Sequence, residues 1–374
     1  FIFSTSKYNI QMHLRNLSLI NFKNYESTEM IFSPKINCIV GDNGVGKSNI
    51  LDAVYYLSFC KSYFNPIDSQ NIRFNQEFFT IQGDYARNEK KENIFCSVKR
   101  NTRKVFKRNQ KDYERLADHI GLIPLVISSP YDSYLIRGGS EERRKFLDSV
   151  ISQFNRDYLD KVIQYNKAVS QRNSLLKRFA EKGSFDHNMI EIYDDQLIQL
   201  GKSIYQTRKV FIENLLPIFH KFYQYISSSN ETAHIAYKSD LHENDMATLL
   251  KTSLSRDRML QYTSSGIHKD DLLLEVHGYP LKKTGSQGQQ KSFLIALKLA
   301  QFEFIKGINN FNPILLLDDI FDKLDSKRVT QIVKLVSENN FGQIFITDTN
   351  KQRVDNILKE FDIDYKIITI ERNE

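Results

Sequence analysis

Residues 41–48 read "GDNGVGKS", and the reading of this octet decides the class of fold. The strand-like "INCIV" (36–40) precedes it and the apolar-periodic "NILDAVYYLSF" (49–59) follows. A G-x-x-x-x-G-K-S loop between a buried strand and a helix is the setting in which that pattern binds phosphate. The glycines let the backbone wrap a β-phosphate with successive N–H groups turned inward. The ammonium of Lys47 neutralises the β/γ oxygens and the Ser48 hydroxyl coordinates Mg²⁺. Gly41, Asp42, Asn43, Gly44, Val45, Gly46, Lys47 and Ser48 are therefore expected to form a site for ATP with Mg²⁺.

Two further stretches complete the site. "ILLLDD" (314–319) is a buried strand ending in two carboxylates. After a phosphate loop, such a strand end is expected to hold Mg²⁺ from Asp318 through a water. Asp319, one residue on, is placed to orient or deprotonate the attacking water. "KKTGSQGQQKS" (282–292) opens a helix whose N-terminus stays uncovered: Ser286 at the cap, Gly285 and Gly288 around it, then Gln289 and an apolar run. A helix N-terminus of that kind attracts anions. A second anion site in one chain makes sense if Ser286, Gly288 and Gln289 reach the γ-phosphate held by another subunit, as an ABC-type signature motif does. ATP then joins two copies of the chain. The competing reading of 285–289 is an ordinary capped helix.

The chain has 374 residues, enough for one large domain or two ordinary ones. Hydrophobic content of 41% and charged content of 26% are those of a globular protein. No run approaches the ~18 apolar residues of a membrane span. The first eleven residues lack the pattern of a signal peptide and read as an extension with little part in the fold. Cys38, Cys60 and Cys96 share no metal spacing and read as buried thiols in a reducing compartment, the cytoplasm. The formal charge is +7. From Lys99 to Lys111, "KRNTRKVFKRNQK" holds seven cations and no acid, which reads as a solvated hairpin or as a contact for a polyanion.

The patterns give an α/β order. Alternating runs at 13–22 and 35–40 read as two strands around a polar turn, and "FFTIQGDY", "NIFCSVKR" and "KVFKRN" as an antiparallel section. "IPLVIS" ends at Pro130. From Ser140 a helical period runs for about forty residues to Gly183, a length of about 60 Å at 1.5 Å per residue. A second helix from Met189 stops near Pro217, and the two are expected to form an antiparallel hairpin. Strands return at 271–280, 313–319 and 343–347, with a helix from Ser326. The expected division is an extension (1–11), an N-terminal head part (12–135), a helical arm (136–260) and a C-terminal head part (261–374).

The order of "LINFKNY", "GDNGVGKSN", "SPYD…GGSEERRKFLD", "GIHKDD", "GSQGQQKS" and "LLLDDIFDKLD" resembles the RecF recombination-mediator family of SMC-like ATPases, over nearly the whole chain from Met12. The resemblance implies an ABC-type head with a short inserted α-helical arm, ATP-dependent homodimerisation on DNA, other recombination-mediator partners, and work in recombinational repair of gapped replication products. It implies a weak DNA-dependent ATPase that serves as a switch. It also implies a Q-loop at Ser129–Asp132, a D-loop at Asp322–Asp325 and a switch position at Thr347. Tyr131, Ile267, Lys269 and Lys323 depart from the residues usual in the family. His268 lines a nucleotide site or is structural; Arg143 and Arg144 touch DNA, a partner or the head; Lys23 approaches the nucleotide.

Other readings are weighed by length. A long-armed SMC-like ATPase needs coiled coils of hundreds of residues, and an ATP-coupled nuclease needs a further metal-binding domain. A non-hydrolysing ATP-binding scaffold is opposed by Asp318 and Asp319.

Overall fold

A computed structural model describes residues 12–87, 90–227, 231–309, 311–319, 341–359 and 364–371, with 331 and 334 as single positions. The chain divides into two compact units, one of residues 1–132, 222–230 and 286–374, the other of 133–221 and 231–285. The sequence-based boundaries at 136 and 260 compare with 133 and 285 here, so the strands of the second half join the helical unit before the chain returns.

The first unit begins with β1 (Met12–Phe22), β2 (Tyr25–Ile31), β3 (Ile36–Val40) and α1 (Lys47–Phe59). It continues through β4 (Phe78–Arg87), β5 (Lys90–Lys99), β6 (Val105–Arg108), β7 (Lys111–Asp112) and β8 (Leu125–Ser128). The second unit holds α2 (Ser133–Arg137), α3 (Ser140–Ile151), α4 (Arg156–Lys182) and most of α5 (His187–Ser227). It adds β9 (Ala233–Lys238), α6 (Met246–Leu260), β10 (Asp271–Val276), β11 (Tyr279–Pro280) and α7 (Leu281–Thr284). The chain re-enters the first unit with α8 (Gln287–Asn309), β12 (Ile314–Leu317), β13 (Ile344–Asp348), α9 (Lys351–Lys359) and β14 (Tyr365–Thr369).

Among the described residues the first unit has two sheets. One is antiparallel, in the order β2-β1-β4-β5-β6-β7. The other is parallel, in the order β14-β3-β13-β12-β8. Residues 36–40 and 314–317 are buried throughout, the signature of strands covered on both faces. Between the sheets, α1 buries Ile50, Leu51, Val54, Tyr56 and Leu57 against Phe22, Phe79 and Phe345. Each such side chain contributes about 1.5–3 kcal/mol. Register puts the C-terminal ends of β3, β13 and β12 side by side, with Val40 opposite Asp348 and Leu317 opposite Ile346. Ligands of open α/β sheets bind at such an edge.

Several expectations change. The polar turn between 22 and 36 contains β2, an edge strand that hides only Tyr25 and Met30 and so shows little apolar alternation. The single helix from Ser140 to Gly183 is two, because Asn155 caps α4 by accepting from the Tyr158 N–H at 2.9 Å. That cap shortens the long segment to the 27 residues of α4, about 40 Å. Pro217 does not end the second helix but lies inside α5. Phe219, Tyr223 and Ile226, all fully buried, carry the helix past the missing N–H. The hairpin is antiparallel as expected: Lys161 meets Ser203, Arg172 meets Asp194 and Arg208 meets Tyr158. Residues 1–11, the helix expected from Ser326 and the stretch Asp322–Asp325 with Lys323 lie outside the described residues.

Candidate functional site

The loop after β3 turns on glycine. Gly44 and Gly46 sit at φ 83° and 107°, conformations that a side chain disfavours. A Cβ at Gly46 would lie 2.4 Å from the Asn24 amide nitrogen. Among the described residues, no backbone carbonyl outside α1 accepts from the N–H groups of Asn43 to Ser48. These donors, at the start of a 13-residue helix, suit an anion. The buried ammonium of Lys47 spans the loop and donates to the carbonyls of Gly41 and Asp42, both at 2.8 Å.

The acidic strand end meets the loop directly. The Ser48 hydroxyl donates to Asp318 Oδ1 at 2.9 Å, and the Thr347 hydroxyl donates to the same oxygen at 2.7 Å. Asp318 is 4% exposed, and burial pushes its carboxyl up while the two hydroxyls pull it back. A hydroxyl and a carboxylate at this separation are hard oxygen donors of the type Mg²⁺ prefers, so the residues fit that ion. Asp319 follows in the left-handed region at φ 46°, its N–H bound to the Thr347 hydroxyl at 2.9 Å. A non-glycine residue held there costs on the order of 1–3 kcal/mol and is typical of functional sites.

The start of α8 is a reciprocal cap. The Gln289 N–H donates to Ser286 Oγ at 3.2 Å, and the Ser286 N–H donates to Gln289 Oε1 at 2.9 Å. The exposed Ser286 hydroxyl thus accepts locally and keeps its own proton for a further acceptor. Gly288 beside it adds no side chain.

The Ser129–Asp132 turn is firmly held. Asp132 takes the Ser129 N–H at 2.8 Å, the Tyr63 hydroxyl at 2.6 Å and the Lys298 ammonium of α8 at 2.7 Å. Asp132 and Lys298 are both buried. This link between the turn and the helix that starts at Gln287 has no sequence signal, because its partners are 166 positions apart (298 − 132).

Other sequence candidates separate. Lys23 pairs with the buried Asp52 at 2.6 Å rather than with the loop. The loop is braced instead by its neighbours: Asn24 donates to the Val45 carbonyl at 2.9 Å, and the Tyr25 hydroxyl to the Gly46 carbonyl at 3.2 Å. Both ring nitrogens of His268 are engaged, with the Tyr165 hydroxyl and the Thr263 carbonyl at 3.0 Å each. Arg143 pairs with Asp271 at 2.6 Å and Arg144 donates to the Asp270 carbonyl, all within the second unit. Ile267 is buried and Lys269 lies 5.0 Å from the Tyr262 ring.

The basic run divides as well. Lys104 is drawn to Asp68 at 2.7 Å, and Arg108 forks onto Glu92 at 2.6 and 2.9 Å. Lys107 lies 3.8 Å from Asp112. Lys99, Arg100, Arg103 and Lys111 are exposed and have no carboxylate partner among the described residues. The three thiols are buried, and burial pushes Cys38 and Cys60 up to about 12.

Known proteins place this geometry. The model of the RecF/RecN/SMC N terminal domain matches residues 13–369. A protein of Flavobacterium johnsoniae named DNA replication and repair protein RecF is 53% identical over 359 residues, 96% of this chain and 100% of the relative. A protein of the same name from Phocaeicola vulgatus is 51% identical over 365 residues, 97% of this chain and 98% of the relative. The solved recombination mediator protein RecF with ATP, in the RecFOR pathway, superposes with a TM-score of 0.86 at 30% identity, covering 96% of each chain. An Smc head domain derived from Pyrococcus furiosus shares the fold alone, at a TM-score of 0.57 and 18% identity over 97% of this chain and 94% of that one. The chain is an ABC-type α/β ATPase head of the SMC kind and belongs to the RecF family.

Proposed function

We propose that this protein is an ATP-dependent DNA-binding switch of replication and recombinational repair. The observation that carries the reading is the junction of Ser48 with Asp318 at 2.9 Å, beside the glycine loop and the Lys47 ammonium. In this reading Gly41–Ser48 bind the triphosphate, and Ser48 and Asp318 hold Mg²⁺. Bound there, Mg²⁺ would supply neutralisation of phosphate charge. Thr347 fixes the orientation of Asp318, while Asp319 positions and deprotonates the attacking water. Hydrolysis is slow, as suits a switch.

The first unit acts as the ATPase head and the second as its arm. Ser286, Gly288 and Gln289 donate across a homodimer to the γ-phosphate held by the partner, so that ATP closes the dimer. DNA lies against exposed cations of the head, other recombination mediators are recruited, and the work is done in the cytoplasm. Among the described residues no helix is long and apolar enough to cross a membrane.

Sedimentation tests the reading. Mg·ATP should convert monomer to dimer, and a gapped duplex should increase the dimer fraction. A chain that stays monomeric with both present contradicts it.

A further inference from the structure

The turn between β1 and β2 presses on the second half of the glycine loop. Phe22 pairs with Tyr25, so Lys23 and Asn24 alone make the turn, with Lys23 in the left-handed region at φ 52°. The turn is fixed from outside the loop. The Lys23 ammonium sits 2.6 Å from the buried Asp52, the Lys23 N–H donates to the Asn71 carbonyl at 2.8 Å, and the Arg73 N–H donates to the Asn21 carbonyl at 2.8 Å. Asn24 is thereby delivered to Gly46. Its carboxamide fills the space that a Cβ there would need, 2.4 Å from the amide nitrogen and 2.7 Å from the oxygen.

The partners of this carboxamide settle which way it faces. Nδ2 donates to the Val45 carbonyl at 2.9 Å, and Oδ1 accepts from the Asn49 amide at 2.6 Å. A carbonyl can only accept, so the nitrogen faces Val45. Among the described residues no other donor reaches that carbonyl. The Gly46 carbonyl differs: it accepts from the Asn49 and Ile50 N–H groups as well as from Tyr25, so α1 holds it without help from the turn.

A trans peptide carries its C=O and N–H on opposite sides of one plane, and no described peptide is cis. Holding the Val45 carbonyl on the side of Asn24 therefore turns the Gly46 N–H the other way. That N–H meets no acceptor among the described residues. We infer that Asn24 is a positioning residue of the ATP site: through the Val45 carbonyl it presets the Gly46 N–H for the β-phosphate. Without it, a peptide next to a glycine is free to rotate and must be ordered when the nucleotide binds. The inference rests on the ATP-binding reading above and names a residue on which that site depends.

Equilibrium titration of the full chain with Mg·ATP and with Mg·ADP tests it. Asn24 is exposed, so Asn24→Ala should unfold in urea close to the parent. It should bind both nucleotides roughly tenfold more weakly, the worth of one hydrogen bond to a charged group. The factor should be the same for the two, because both carry the β-phosphate. Asn24→Asp keeps the acceptor for Asn49 and has no donor for Val45, so it should bind both at least as weakly as the alanine variant. Parent-level affinity in either variant would overturn the inference. So would a loss confined to ATP, which would put Asn24 on the γ-phosphate itself. A parent chain that binds neither nucleotide would overturn the ATP-binding reading, and the inference with it.

Discussion

Ser48 and Asp318, 270 positions apart, share a hydrogen bond of 2.9 Å. That bond joins the first turn of α1 to the end of β12, which the parallel pairing of β3, β13 and β12 brings alongside. The same carboxylate takes the Thr347 hydroxyl from the third strand end. The loop after β3 and the ends of β12 and β13 therefore meet at one buried carboxyl group.

The pocket separates binding from turnover. Lys47→Met removes the charge facing the β/γ oxygens and should abolish ATP binding in an equilibrium titration. Asp319→Asn keeps the backbone bond to Thr347 and should bind ATP normally while hydrolysing it ~10²–10⁴-fold more slowly, the share of a positioned base. Hydrolysis by Asp319→Asn at the parent rate removes the role given to that carboxylate.

For DNA binding, the exposed cations should matter and the paired ones should not. Replacing Lys99, Arg100 and Arg103 by Gln should flatten the log–log salt slope of binding by about 0.9 for each phosphate that is no longer neutralised. Lys104→Met should leave the slope alone and lower stability, because Asp68 loses its 2.7 Å partner. An equal change in slope from both variants would contradict the division of the run.

Lys298 and Asp132 form a buried pair on which a double-mutant cycle can be run. Lys298→Met leaves the carboxylate uncompensated and should cost about 3 kcal/mol in urea melts. Adding Asp132→Asn removes the orphaned charge, keeps an acceptor for Tyr63, and should recover most of that loss. Additive losses would show the two residues to be uncoupled.

The fold, and the stretches that meet around Ser48, were legible because their signals are local. The octet at 41–48, the run before Asp318 and the Ser286/Gln289 spacing each lie within a dozen residues. What escaped is what depends on distant partners. Lys23 looked aimed at the nucleotide, but the buried Asp52 one turn along α1 claims it. Lys104 and Arg108 looked as free as the rest of the basic run until Asp68 and Glu92 came alongside. β2 and β14 escaped because edge strands need only one buried face, and Pro217 misled because the apolar stripe beyond it outweighs one missing bond.

Acid should loosen both units through their histidines. Burial pushes His119 and His268 down to about 4 from an ordinary 6.5. A folded pKa below the unfolded one gives stability that is complete above 6.5 and lost as pH falls toward 4. Between about pH 7 and about pH 5.5 each ring should cost its unit about 1.2 kcal/mol. The raised carboxyl of Asp318 acts in the opposite sense. Urea midpoints that do not fall across this window would show the rings to be charged within the fold.

Whether Ser286 completes the nucleotide site of the opposite subunit is decided by sedimentation of Ser286→Arg with Mg·ATP. The Ser286 hydroxyl is exposed and its side chain supports only its own helix cap, so the variant should fold and bind ATP as a monomer. Its bulk at the helix start should keep the partner's γ-phosphate away, leaving the protein monomeric and without hydrolysis. A Ser286→Arg chain that dimerises with ATP and turns it over at the parent rate would contradict the account.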